Sequence, residues 1–157
     1  MFEQIYTYFT IEILYFWVNL GVLPFWLILI FIPQSNICRI FTTSVFPILL
    51  LSGAYVFMLY LIIQNNYDFL ANFSLYIGVD SLATLFSENS FLMMFWIHFV
   101  SINLFVGGWI VKNSQQLNIN KILLSLPLIL TYLIGPLGIS IYWIIKICYT
   151  KKISLYD

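Results

Sequence analysis

The polar side chains that could do chemistry are few, and most of them lie inside long apolar runs. They are Glu12, Asn19, His98, Ser101, Asn103 and Thr131. His98 is the single histidine of the chain, and it is the main candidate acid or base because imidazole titrates near neutral pH. An ionisable group inside a membrane span is costly, so a functional role is the working hypothesis. The alternative is a structural imidazole that hydrogen-bonds a neighbouring helix.

The spacing around His98 divides the stretch "FWIHFVSINLFVGGWI" into two helical faces. On a helix His98 shares one face with Phe105 and Trp109. Asn103 lies about 140° around the helix from His98, so the two side chains are not expected to enter one narrow pocket. The glycines at 107 and 108 predict close approach of another helix.

The same polar groups exclude several kinds of site. No pair of carboxylates stands at helix depth, which excludes a glycosidase-like or aspartyl-protease-like centre. One histidine cannot supply both axial ligands of a haem within the chain. Ser101 follows His98 by three residues, but no buried acid stands behind the imidazole as a serine hydrolase requires. A single axial ligand to a pigment metal such as chlorophyll magnesium remains open, and no metal-ligand cluster is predicted.

The composition predicts a membrane protein. Of 157 residues, 62% are hydrophobic and 8% are charged, and the mean hydropathy is +1.00, so a soluble fold would expose a very large apolar surface. Four apolar runs are each close to the ~20 residues that cross a bilayer as a helix. They are 13–31, 45–63, 91–111 and 122–145. The predicted fold is all-α, a four-helix transmembrane bundle formed by a single domain, residues 1–157.

The segment between the second and third spans, Gln64 to Ser90, is too polar to cross the membrane and too apolar to lie in water. Within it the stretch "VDSLATLF" predicts a short interfacial helix before the third span, with Asp80 as its N-cap. Asn89 or Ser90 is expected to cap the third span.

Two prolines inside predicted spans indicate kinks. Pro136, in "TYLIGPLGISIY", removes one backbone hydrogen bond and frees the carbonyl of Tyr132, and Pro24 has the same effect in the first span. Small residues near Pro136 offer a flat face to a neighbouring helix; they are Thr131, Gly135 and Gly138. Packing alone explains such kinks, but a groove between bent helices also suits a long apolar ligand.

The net charge is zero, which gives no electrostatic case for nucleic-acid binding. With four complete crossings both termini lie on one side, together with all six acidic residues. The basic residues then divide evenly: Lys146, Lys151 and Lys152 on the side of the termini, and Arg39, Lys112 and Lys121 opposite. Because Lys and Arg decide orientation, the even split leaves it undetermined. Cys38 and Cys148 would face opposite sides, too far apart for a disulfide.

Three stretches together resemble the abscisic-acid-deficient-four family, small four-helix proteins known from plant plastids with relatives in algae and bacteria. The third-span stretch "HFVSINLFVGGWI" is similar to that family's His-Tyr-Leu-Ala-Phe-Asp-Leu-Phe-Val-Gly-x-Trp signature. The stretch "NLGVLPFWLILIFIP" resembles its first-helix pattern, and "LTYLIGPLGISIYW" resembles its Gly-Pro-x-Gly segment. The resemblance extends over nearly the whole chain, and it implies a plastid membrane or a bacterial inner membrane.

The resemblance implies a link to carotenoids, because the plant member is required to make neoxanthin from violaxanthin. That conversion opens an epoxide and forms an allene, so it needs an acid and a base but no redox cofactor. His98 matches the family histidine and is thereby the candidate catalytic residue. Asn103 stands where the family has an aspartate, and Asn113 stands near another family acid. Because an amide does not relay protons, this departure favours ligand binding over catalysis.

Alternative functions are therefore predicted. The first is binding or modification of a carotenoid in a groove, with Asn19, Asn103, Phe105, Trp109 and Pro136 as ligand-binding residues. The second is a non-enzymatic subunit or assembly factor of a larger, pigment-bearing membrane complex, formed with another membrane protein or with further copies of the chain. A transporter ranks last, because one ionisable residue at depth and four helices without repeats offer little to couple. The lipid bilayer is the expected surrounding, and a carotenoid or chlorophyll is the expected bound molecule.

Overall fold

The computed structural model describes residues 10–64, 76 and 78–153, except for the side chains of residues 42 and 43. These residues form six α-helices, which are α1 Ile11–Phe31, α2 Asn36–Thr43, α3 Phe46–Gln64, α4 Val79–Phe86, α5 Asn89–Gln116 and α6 Lys121–Thr150. No strand occurs in the described ranges. The predicted all-α class is confirmed.

Four helices, α1, α3, α5 and α6, are long and apolar enough to cross a membrane. The helices α1 and α3 begin and end within two residues of the predicted spans. The helices α5 and α6 have 28 and 30 residues and extend past the predicted ends. The polar stretch after residue 111 continues α5 because Lys and Gln are good helix formers even where the sequence is no longer apolar.

The helix α2 lies where the sequence indicates only a connecting loop. Ser35 caps this helix, and its hydroxyl accepts a hydrogen bond from the Cys38 N–H at 3.0 Å. A serine at this place, two residues after Pro33, is the sequence signal that predicts such a helix start.

A short helix, α4, is present where "VDSLATLF" predicts one, but Asp80 is not its N-cap. Gly78 holds the cap position and Asp80 lies in the first turn, where a carboxylate still interacts favourably with the positive end of the helix dipole. Asn89 is the first helical residue of α5, so the expected cap at Asn89 or Ser90 is also wrong by a residue or two. The interfacial position of α4 remains a prediction.

The described residues group into two compact units. The first unit is drawn from Met1–Leu20 and Leu50–Phe99, and the second unit from Gly21–Leu49 and Val100–Asp157. The single domain expected for residues 1–157 remains a prediction.

Trp96 is central to the contacts of the first unit. Its indole N–H donates to Asn19 Oδ1 at 3.2 Å, and its ring centroid lies 5.7 Å from that of Tyr15. The helix α4 belongs to the same unit. Its residue Phe86 packs edge-on against Phe95 of α5, with 4.8 Å between the ring centroids. These aromatic contacts connect α1, α4 and α5 within the unit.

The helix α6 is interrupted at Ile134, whose φ of −143° and ψ of 69° are not helical. A methyl group added at Gly138 would overlap both the hydroxyl and the backbone nitrogen of Thr131. In a straight helix, residues seven apart are separated by about 10 Å along the axis. The part of α6 after the break therefore folds back along the part before it, and we call these parts the first limb (121–133) and the second limb (135–150).

Contacts with α5 give the course of both limbs. The first limb follows the short turn at 117–120, and a methyl group at Gly135 would overlap Asn103 Oδ1 near the middle of α5. Farther along the second limb, the Tyr142 hydroxyl donates to Asn113 Oδ1 at 2.7 Å, close to the C-terminal end of α5. The second limb thus returns toward the end of α5 from which the first limb started.

The kink predicted at Pro136 is therefore confirmed, and it is sharper than a bend. Proline lacks the N–H that would bond the carbonyl four residues earlier, and its ring crowds that carbonyl. The small residues named with it, Thr131, Gly135 and Gly138, are all buried. Gly138 faces the other limb of its own helix, which periodicity alone did not predict.

Cys38 is expected to resist alkylation near pH 8. Its side chain is 0% exposed, and burial raises the pKa of its thiol from 9.0 to about 11, which lowers the reactive thiolate fraction roughly 100-fold. Cys148 is free and exposed, so it is the internal control. Mass spectrometry after brief iodoacetamide treatment should find the adduct on Cys148; equal modification of both thiols would contradict the prediction.

The raised pKa also makes stability depend on alkaline pH. Because the folded-state pKa of Cys38 is above its unfolded value, its contribution to stability is complete below about pH 9 and is lost as the pH rises to about 11. The midpoint of thermal unfolding should fall across this range, and it should fall less in a Cys38→Ala variant.

Candidate ligand-binding site

A cavity of about 360 Å³ lies in the second unit, between α1, α2, the start of α3 and α5. Its lining residues are Phe25, Ile28, Leu29, Phe41, Ser44, Val45, Pro47, Ile48, Leu104, Phe105, Gly108, Trp109 and Lys112. The lining is largely apolar and carries four aromatic rings. Its two polar side chains are Ser44 and Lys112.

The chain around Pro33 brings α2 to the cavity. The Gln115 amide donates to the Pro33 carbonyl at 2.5 Å, which fastens the connection after α1 to the C-terminal end of α5. Phe41 of α2 then packs edge-on against Phe25 of α1, with ring centroids 5.4 Å apart. The unpredicted helix α2 therefore supplies one wall of the cavity.

The two neighbouring glycines of α5 have different surroundings. A methyl group at Gly107 would come within 2.8 Å of the Trp26 ring, so this glycine permits the close helix contact that the sequence predicts. At Gly108, no described atom beyond its chain neighbours and its own helix backbone lies within 4 Å of such a methyl group, and this glycine lines the cavity. Only Gly107 fits the predicted packing role, and Gly108 leaves space for a ligand.

A buried polar cluster adjoins the cavity through Trp109. The Trp109 ring meets Tyr142 edge-on at 5.7 Å between centroids, and Tyr142 hydrogen-bonds Asn113. Tyr142 is 0% exposed and Lys146, one helical turn later, is 2% exposed. A lysine buried this deeply on an apolar helix is a candidate functional group, and the side chains of tyrosine and lysine both donate hydrogen bonds.

The sequence did not single out this cluster. Lys146 stood just beyond the predicted fourth span, and Tyr142 was one of 11 tyrosines. Their spacing of four residues places both on one helical face, which was the available signal. The break in α6 then brings that face beside Asn113 and Trp109.

His98 belongs to the first unit, and its side chain is exposed. The imidazole therefore lies at the surface of the protein, and its predicted functional role remains a prediction. Its ring lies 6.4 Å from that of Tyr55, between centroids, in a tilted arrangement. The His98 side chain points away from the interior of the protein, whereas the adjacent Ile97 lies on the buried side of α5.

Asn19 also lies in the first unit, where it acts as a helix contact. Its amide N–H donates to the Tyr15 carbonyl at 2.7 Å, and its oxygen accepts from Trp96. Both ends of the side-chain amide are thus used within the protein.

Asn103 and Pro136 lie in the second unit, at the break of α6. Asn103 is 5% exposed; its Oδ1 packs on Gly135, and its Nδ2 is buried without a hydrogen-bond partner among the residues that the structure describes. Pro136, which follows Gly135 in the sequence, is exposed. Of the residues singled out from the sequence, Phe105 and Trp109 line the cavity, and Asn103 and Pro136 do not.

Across the ranges that the structure describes, no group of three or more His, Cys, Asp and Glu side chains could hold a metal ion. The groups that remain for binding are aromatic rings, the Ser44 hydroxyl and the Lys112 ammonium. They suit an apolar molecule that carries an oxygen, because an ammonium only donates hydrogen bonds.

Comparison with known proteins gives one family match. The model of the family described as ABA DEFICIENT 4-like matches residues 13–142, a range that contains the whole cavity and ends at Tyr142. No curated protein and no solved structure matches the chain. Since the family model covers most of the sequence, the chain belongs to the ABA DEFICIENT 4-like family.

Proposed function

We propose that this protein is a multi-pass membrane protein that binds the ring-bearing end of a carotenoid in the cavity of the second unit. The observation that supports the proposal is the aromatic cavity itself, lined by Phe25, Phe41, Phe105 and Trp109. Flat rings of this kind pack against conjugated and cyclic apolar molecules. The family resemblance supports a carotenoid as the class of ligand, in a plastid membrane or a bacterial inner membrane.

The size of the cavity limits what it holds. Its 360 Å³ is near the lower end of the ~300–1,000 Å³ typical of ligand pockets. The cavity therefore takes an end group with the adjoining part of a chain, and the remainder of a long polyene lies against lipid-facing helices. Phe105 is 62% exposed, so it provides a surface on which the chain leaves the cavity.

Lys112 and Ser44 supply hydrogen-bonding groups in the otherwise apolar lining of the cavity. An ammonium that borders an apolar pocket favours an oxygen acceptor, such as the hydroxyl or epoxide of a xanthophyll, over a plain hydrocarbon ring. We expect oxygenated carotenoids to bind more tightly than carotenes. Replacing Lys112 with leucine should remove this preference while retaining binding.

Chemistry on the ligand would be a further activity of the protein. Epoxide opening or isomerisation needs an acid and a base, and His98 is the residue matched to that role by resemblance. His98 is not among the residues that line the cavity, so the geometry supports binding more directly than catalysis.

Filling the cavity tests the proposed function. In a Gly108→Leu variant the new side chain enters the open space and should weaken carotenoid binding at least about tenfold, or about 1.4 kcal/mol. The measurement is the visible absorbance that co-elutes with purified protein after incubation with a xanthophyll mixture. Leucine in place of glycine is also a better helix former by up to ~1 kcal/mol, so the variant should fold.

The matched control is Gly21→Leu. Gly21 is exposed and does not line the cavity, and in the described part of the chain no atom outside its own helix lies within 4 Å of an added methyl group. Pigment retained equally by both variants would place the ligand elsewhere. If fatty acid rather than pigment co-elutes, the ligand class is wrong although the cavity is a binding site.

A second function is favoured by the exposure of His98. A single outward-facing imidazole suits axial ligation of a chlorophyll magnesium, or contact with a pigment-bearing partner, in a non-enzymatic subunit. Chlorophyll bands in the spectrum of the purified protein, lost in His98→Ala, would support it. Monodisperse protein with no co-purifying partner or chlorophyll would count against it.

A further inference from the structure

We infer that α6 enters and leaves the membrane at the same face, so that all six basic residues of the chain lie toward one face, the cytoplasmic one, where the exposed ones outside the cavity form a surface for anionic lipid headgroups. This inference does not depend on the ligand of the cavity. It rests on the course of α6 in the second unit and on the positions of Lys and Arg in the sequence.

The dimensions of α6 support a re-entrant hairpin. Its limbs, 121–133 and 135–150, are about 20 and 24 Å long, and each is shorter than the ~30 Å of the hydrocarbon core. The junction between them lies beside Asn103, near the midpoint of α5. The hairpin thus reaches about half of the depth that α5 spans and then returns.

Two contacts show where the C-terminal end of the second limb lies. Tyr142 of the second limb bonds Asn113 of α5, and two residues later Gln115 bonds Pro33 in the connection after α1. The end of the second limb, the turn at 117–120 and the connection that carries Arg39 are therefore at one end of the second unit.

This course changes the distribution of charge. With four complete crossings, three basic residues lie on each side. With a re-entrant α6, all of them lie on the same side: Arg39, Lys112, Lys121, Lys146, Lys151 and Lys152. Lys and Arg within about 15–20 residues of the membrane mark cytoplasmic loops, so an undetermined orientation becomes a strongly determined one.

The face that carries these basic residues, here called the basic face, is suited to binding anionic groups. All of its cations except Lys146 are exposed, and the described acids, Glu12, Asp80 and Glu88, belong to the other unit. The cytoplasmic leaflet carries anionic lipids that attract Lys and Arg beside a membrane span. Charge complementarity therefore selects anionic headgroups as the occupants of this surface.

Cysteine accessibility tests the course of α6. The full chain is expressed in the inner membrane of a bacterial host with Cys148→Ser, while the buried Cys38 is retained. Single reporters are then added at Ser87→Cys before α5, Gln116→Cys at its end and Ile153→Cys after α6, all at exposed positions. A membrane-impermeant maleimide is applied to intact spheroplasts and to inside-out vesicles.

We expect the reporters at 116 and 153 to react in inside-out vesicles and the reporter at 87 to react in spheroplasts. Reaction of 153 from the same side as 87 would show four complete crossings and overturn the hairpin. Reaction of 116 and 153 together from outside would overturn the orientation. The native Cys148 provides a second reporter for the end of α6 if position 153 does not tolerate substitution.

Lipid dependence tests the surface. The midpoint of thermal unfolding should be higher in nanodiscs of phosphatidylglycerol than in nanodiscs of phosphatidylcholine, and high salt should reduce the difference. The triple variant Lys121→Gln, Lys151→Gln, Lys152→Gln should lose the difference, and the same triple change to arginine should keep it. Equal midpoints of the unmodified protein in both lipids would overturn the headgroup surface.

Discussion

Replacing Gly138 with alanine is expected to destabilise the protein by about 3 kcal/mol, at the upper end of the cost of overpacking. The added methyl group would overlap the hydroxyl and the backbone nitrogen of Thr131 on the opposite limb of α6. A side chain could rotate away, but a backbone atom moves only if the limbs separate. The measurement is the midpoint of thermal unfolding in mild detergent, monitored by near-ultraviolet circular dichroism.

Two further glycines calibrate this result. An added methyl group at Gly53 would meet no atom within 4 Å from other helices of the described structure, so Gly53→Ala should be neutral or stabilising by up to ~1 kcal/mol. Gly135→Ala should lie between the two, because the atom that it meets is Oδ1 of the Asn103 side chain, which is able to move. If Gly138→Ala unfolds at the same temperature as Gly53→Ala, the limbs of α6 are not in contact as described.

Replacing Tyr142 with phenylalanine is expected to cost about 1–3 kcal/mol. The ring and its contact with Trp109 are kept, but Asn113 Oδ1 loses the hydroxyl that donates to it at 2.7 Å. Asn113 is only 9% exposed, so water does not readily replace the lost donor. The free energy of unfolding in detergent, measured by denaturant titration, gives the cost directly.

A double-mutant cycle separates this hydrogen bond from general effects of the substitution. Asn113→Leu removes the acceptor, and the combination with Tyr142→Phe should cost less than the sum of the two changes by about 0.5–3 kcal/mol. The control is Tyr60→Phe. Tyr60 is exposed, and its hydroxyl accepts a hydrogen bond from the neighbouring Gln64 amide on the same helix, so a change within about 0.5 kcal/mol is expected. Additive costs at 142 and 113 would show that the bond does not stabilise the fold.

Local properties of the sequence were sufficient for much of the secondary structure. The first two spans were predicted to within two residues, because a switch from apolar to polar residues coincides with the ends of α1 and α3. The prediction failed where polar residues remain helical, as in 112–116, and where one serine starts a helix, as Ser35 does for α2. In both places helix propensity and capping act independently of hydropathy.

The candidate site was predicted only in part. Phe105 and Trp109 line the cavity, and their spacing of four residues was sufficient to place them on one face of a helix. Helical spacing also grouped His98 with them, but His98 is not among the residues that line the cavity. Periodicity gives the direction of a side chain around its own helix, but it does not say which part of the protein lies opposite.

The sequence by itself determined the all-helical class, the four apolar helices and the ABA DEFICIENT 4-like family, because each of these follows from residues that are close together in the chain. Only the tertiary structure decided the path of α6. Pro136 predicts that a hydrogen bond is lost, but the size of the resulting turn depends on Gly138 meeting Thr131 and on Tyr142 reaching Asn113. Those contacts join residues distant in sequence, and they also set where the basic residues of α6 lie.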